Sequence, residues 1–166
     1  MTKSDRRIPF RRSLRKNAER GSQTLDKFSD RLQTITRLCK KNKLRFVAAN
    51  IPRRYASTVY SKGLEKLDSI NADAKRWIVP HPMVYDSTLK CYTDIFKKAE
   101  GHRGQNLPKS QAVKDVTMAH FILKNWSAGK TLIHFNGSYH SDWHQGVEWY
   151  RKKFQSRIKD TNHRFC

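Results

Sequence analysis

From residue 28 onward the apolar positions of this chain mostly repeat with a helical period, and in two places they bunch into short runs. Phe28, Leu32, Ile35, Leu38 and Cys39 share one stripe and predict a helix over 28–43, with Asn42 and Lys43 where it should end. Leu44-Arg45-Phe46-Val47-Ala48-Ala49 then has the apolar density of a short buried strand. Pro52 suits the first turn of a following helix, which carries Val59, Leu64 and Leu67 and is weakened by Gly63. A short helix is predicted over 68–77, after which Pro80 and Pro82 place His81 in an extended loop. Leu89, Tyr92, Ile95 and Phe96 mark an amphipathic helix over 86–99. A glycine-flanked polar loop, 101–107, leads to Pro108 and the longest helix, 109–126, whose core face holds Val116, Ala119, Ile122 and Leu123. Gly129 supplies the stop signal. A second buried strand, 130–135, turns at Asn136-Gly137, and 147–154 predicts a last helix.

The order is α-β-α-α-α-α-β-α, and a helix feeding a strand through a short loop is the step of an α/β fold. Two strands are too few for a stable sheet. The expected fold is therefore α/β, with an incomplete, mostly parallel sheet flanked by helices. Either further strands escape the pattern or the chain is part of a larger domain. The expected domain covers 28–155, between a basic N-terminal stretch, 1–27, that is disordered or helical, and a basic tail, 156–166.

Charge sharpens that division. The net charge of +21 is uneven: residues 1–45 carry 15 Lys/Arg against 4 Asp/Glu, residues 46–150 carry 14 against 9, and residues 151–166 carry 6 against 1. Such basic ends suit nucleic acid or an anionic surface, or a solvated tail without a ligand. Phe10 is the lone aromatic before Phe28, so no stacking platform for bases is visible and no specific nucleic-acid partner is expected. No stretch has the apolar core of a signal peptide or the length of a membrane span, which places the chain as written in the cytoplasm. Cys39, Cys91 and Cys166 show no CxxC spacing and are expected to be free thiols.

The chemistry-bearing residues form four groups. His134 and His140 flank the Asn136-Gly137 turn at a strand end, with Tyr139, Asp142 and His144 in the same loop. Neutral imidazoles there suit zinc or iron, including haem iron. The alternative is a core histidine satisfied by a carbonyl beside an exposed turn histidine. Gln111, Asp115, Met118 and Ile122 share one helix stripe. Asp115 either orients a ligating histidine or lies solvated at the edge of the buried face. Asn50, Arg53, Arg54 and Tyr55 follow the first predicted strand, where ligands bind in α/β sheets. The arginines suit a carboxylate or phosphate and the tyrosine suits ferric haem; surface ion pairs at a helix start are the alternative. His102 sits alone in the polar loop. No Gly-rich phosphate loop, GxSxG elbow or HExxH pair is present, which removes the common nucleotide, serine-hydrolase and zinc-protease readings.

Four motifs together resemble the ChaN-like family of bacterial haem-binding lipoproteins in the Tiki superfamily: Ala49-Asn-Ile-Pro-Arg-Arg-Tyr55, Gly104-Gln-Asn-Leu-Pro-Lys109, Gln111-Ala-Val-Lys-Asp115-Val-Thr-Met-Ala119, and His134-Phe-Asn-Gly-Ser-Tyr-His-Ser141 with Gly146. The resemblance implies an EreA/ChaN-like α/β domain, exported and lipid-anchored, that binds haem for iron uptake, with a homodimer left open. On that basis His134 and His140 line the site, Gln111 and Asp115 support it, Asn136, Gly137 and Tyr139 shape it, and Asn50, Arg53, Arg54, Tyr55 and His102 complete it. Metal-dependent hydrolases of the same superfamily give an alternative function, with a divalent metal as cofactor. The Gly-Glu-x-His segment expected after an opening strand is absent, since the chain contains no Gly-Glu pair. The expectation is therefore a member shortened at its N-terminus, and one that is not an enzyme on its own.

Overall fold

In a computed structural model of the chain, residues 30–98 and 104–162 are described, the last six by their backbone alone. The predicted tail 1–27 and His102 lie outside the described residues. The chain divides after Ala48 into two compact units.

In the first unit the described helix, α1, runs over residues 30–41. Its end is set by Lys43, in the left-handed region at φ 53°. Lys43 N–H donates to the Lys40 carbonyl and Leu44 N–H to the Cys39 carbonyl. This pairing satisfies the last-turn carbonyls that a helix otherwise leaves open.

The second unit is helical. It contains α2 (Arg53–Lys62), a 3-10 turn (Leu64–Leu67), the single turn α3 (Ala72–Lys75), α4 (Lys90–Lys98), α5 (Leu107–Asn125) and α6 (Val147–Asn162). Further 3-10 turns occupy Gly104–Asn106, Ser138–His140 and Asp142–His144. The α5 helix is its centre. From Ala112 to Ala119 only Lys114 escapes full burial, the pattern of a helix wrapped on all sides. It packs against α2, α4 and α6. Val59, Leu67, Tyr92, Val113, Val116 and Tyr150 are the large side chains closing the core.

The α/β expectation is overturned: among the described residues there is no strand and no sheet. Neither predicted strand finds a ladder partner, and a strand exists only through its neighbour's backbone. In the segment 44–49, Leu44, Phe46 and Val47 are exposed rather than buried. In the segment 130–135 the side chains do alternate. Leu132 and His134 are half-buried, while Thr131, Ile133 and Phe135 face solvent. Period-two patterning thus reports which side chains turn inward, but not that a second backbone is at hand. Helix-on-helix packing around α5 supplies the core instead.

Gly63 ends α2 with φ 89° and ψ 170°, and its N–H donates to the Val59 carbonyl. A Cβ there would lie 2.4 Å from the Glu65 carboxylate oxygen. That side chain can swing away; the backbone conformation, essentially confined to glycine, cannot relax so easily. Gly63→Ala should therefore lower stability by about 1–3 kcal/mol in urea denaturation followed by far-UV circular dichroism.

Candidate functional site

The buried polar centre of the second unit is Asp115. Its position in the middle of α5 puts the side chain in the core, 3% exposed. A carboxylate so placed needs partners, and two side chains reach it. His140 Nδ1 lies 2.5 Å from Oδ1, and the Tyr92 hydroxyl donates to Oδ2 at 2.8 Å. Burial pushes the Asp115 carboxyl above the ordinary carboxylate range, opposed by the bonds to His140 and Tyr92. Burial, then the charge of Asp115, also raises the Tyr92 phenol, so Tyr92 stays a donor.

His140 closes the short 3-10 turn Ser138–His140. With Nδ1 engaged by Asp115, Nε2 is the ring nitrogen left for another partner. His134 comes from the alternating segment before the turn, on its inward side with Leu132 and Asn136. Its Nε2 is buried and has no hydrogen-bond partner. Burial first, and nearby His140 second, hold its pKa below the ordinary imidazole value. At neutral pH this ring is uncharged and offers a lone pair.

The loop carrying His140 is fastened to the start of α4. The Tyr139 hydroxyl donates to the Cys91 carbonyl, and Cys91 N–H donates to Gln145 Oε1 at 2.8 Å. Tyr139 is thereby occupied, and burial followed by the neighbouring Cys91 pushes its phenol up to about 12. Burial likewise pushes the Cys91 thiol up to about 11, an inert thiol. Trp143 and His144 both adopt φ 56°, so strained backbone sits beside the buried pair, as it often does at working sites. Gly146 follows with φ 56°; a Cβ on it would stand 2.4 Å from the His140 carbonyl oxygen and 3.2 Å from Asp115 Oδ2. It lies immediately before α6.

None of the other expected residues bonds to the Asp115 or His140 side chain among the described residues. Asn136 donates to the Gly137 carbonyl and to Ser141 Oγ, shaping the turn. Gln111 accepts from Lys114 at 3.2 Å rather than meeting Asp115. Burial lowers the Lys114 pKa, and Arg53 is near enough to lower it further, so Arg53 sits by the middle of α5. Arg53, Arg54 and Asn50 are exposed and Tyr55 is half-buried, with the Arg54 guanidinium over the Tyr55 ring at 4.8 Å. No hydrogen bond joins these four to the Asp115–His140 pair among the described residues. Nor do three His, Cys, Asp or Glu side chains converge there as a metal-holding group.

Sequence reasoning missed Tyr92 and Gln145. Tyr92 occupies a core position in the α4 stripe, where any buried tyrosine would look the same. Gln145 stands in a polar turn with no periodicity to single it out.

The second unit thus holds a buried carboxylate against an imidazole, with a second neutral imidazole close by. The chain matches the family described as "Haem-binding uptake, Tiki superfamily, ChaN" over residues 15–150, most of its length, and belongs to that family. No curated protein and no solved structure gives a match. Among the described residues no helix is long and apolar enough to cross a membrane.

Proposed function

We propose that this chain binds haem in the course of haem uptake, with His140 Nε2 as a protein ligand to the iron. The observation that carries this reading is His140 Nδ1 held 2.5 Å from a buried carboxylate. Histidines that ligate a metal characteristically give their second nitrogen to such a partner, which fixes the tautomer and makes the free nitrogen more basic. Haem, when bound, supplies an iron that accepts this lone pair. The donor set fits: His140 Nε2 is left by the Asp115 contact, and the buried His134 Nε2 has no other partner. Exposed Arg53 and Arg54 are suited to meet propionates through charge-assisted bonds. Family membership supports the same reading.

The test is haemin titration of the full chain, followed at the Soret band. Saturable binding is expected, weakened by about 100-fold or more in His140→Ala. The Asp115 carboxyl left behind can take up a proton and keep its Tyr92 partner, so the variant should retain its far-UV spectrum. A folded His140→Ala variant with an unchanged Soret band and affinity would refute the assignment of His140.

A further inference from the structure

A cavity of about 410 Å³ opens beside α3, on a part of the second unit that the Asp115–His140 pair does not use. Its volume falls in the range of small-molecule sites, roughly 300–1,000 Å³. Leu67, Ile70, Ile78 and Val79 give it an apolar floor. Thr117 holds one wall in place, its hydroxyl accepting from Val79 N–H at 3.5 Å. Thr117 is two residues beyond Asp115 on α5, which turns the two side chains about 200° apart around the helix. The cavity and the buried pair thus lie on different sides of α5.

The polar lining is basic: Lys75, Arg76 and His81, with no acidic residue among the lining groups. Two of these are already engaged nearby. Arg76 pairs with Asp73 at 2.7 Å, and His81 Nδ1 lies 3.5 Å from Asp68. Among the described residues two groups are left without a partner. Lys75 is in none of the ion pairs among the described residues. His81 Nε2 is buried with no hydrogen-bond partner. An apolar cavity with an ammonium at its rim that no carboxylate of the described residues pairs is complementary to a molecule with an apolar body and a single anionic head.

We propose that this cavity is a second binding site, for a small amphiphilic carboxylate of medium-chain fatty-acid type. The chain lies against Ile70, Ile78 and Val79, and the carboxylate meets Lys75 at the rim beside His81. This site does not depend on the haem reading.

The probe is sodium decanoate, kept below its micellar concentration, titrated calorimetrically into the full chain at neutral pH. One saturable site is expected. Decanol and decylammonium should bind about tenfold more weakly or not at all, because the ammonium would be left unpaired or opposed. Lys75→Glu alters an exposed side chain and should weaken decanoate by about tenfold without changing the far-UV spectrum. Ile70→Trp should fill the cavity and exclude the probe, and His140→Ala should leave decanoate binding intact. The proposal is overturned by an absence of saturable heat, by equal affinity for decanol, by an unchanged affinity in Lys75→Glu, or by loss of decanoate binding in a folded His140→Ala variant.

Discussion

Asp115→Ala is expected to cost the second unit about 3–5 kcal/mol of stability. The residue is buried in the middle of α5, and its carboxylate is the partner of both the Tyr92 hydroxyl and His140 Nδ1. Removing it deletes two interactions at once and leaves two polar groups in the core without an acceptor, which is the expensive way to lose a hydrogen bond. Asp115→Asn separates the fold from the chemistry. Its amide oxygen can accept from His140 and its amide nitrogen can donate to the Tyr92 hydroxyl, so most of the stability should return. The negative charge that makes the imidazole a better donor does not return, and haemin affinity should stay about 10–100-fold below that of the parent. Chemical denaturation and Soret titration of the two variants check both halves. An alanine variant as stable as the parent would show that the Asp115 bonds to Tyr92 and His140 do not hold the second unit together.

Gly146→Ala is the second large effect expected, about 2–4 kcal/mol, combining a left-handed backbone with a steric conflict. The added Cβ would press on the carbonyl oxygen of His140, which is backbone and cannot rotate out of the way. Either the loop moves, carrying the His140 ring off Asp115, or α6 loses its starting geometry, where Tyr150 N–H donates to the Gly146 carbonyl. Thermal unfolding should shift downward and haemin binding should fall with it. A variant that melts with the parent and binds haemin as well as the parent would mean that the loop has slack the structure does not show.

The helices were legible because their stripes are long. The expected 109–126 became Leu107–Asn125, and the expected 86–99 became Lys90–Lys98. The last helix runs on past its predicted end at 154 to Asn162, where apolar spacing fades but no glycine or proline intervenes. The same stripe that set Gln111, Asp115, Met118 and Ile122 in register left the surroundings of Asp115 open between solvated edge and pocket wall. Its burial followed only once Tyr92 and His140 were in place, and nothing in their spacing along the chain announces them. The sheet failed for a different reason. Apolar runs such as Leu44–Ala49 carry strand propensity, yet burial is a property of what packs above them. Leu44 and Phe46 have nothing to bury them among the described residues.

The two bonds that fasten the Tyr139–Gln145 loop to Cys91 span 48 and 54 residues of chain. Contacts of such separation carry a larger loop-closure entropy than local ones. The Asp115–His140 pair spans only 25 residues, so it is the nearer closure and the two bonds to Cys91 are the longer buckle around it. A polypeptide cut before Gln145 would keep both members of the pair but lack the Gln145 bond to Cys91 and the whole of α6, which packs on α5. Competence at this site is thus a property of the finished second unit, and it doubles as a report that folding is complete.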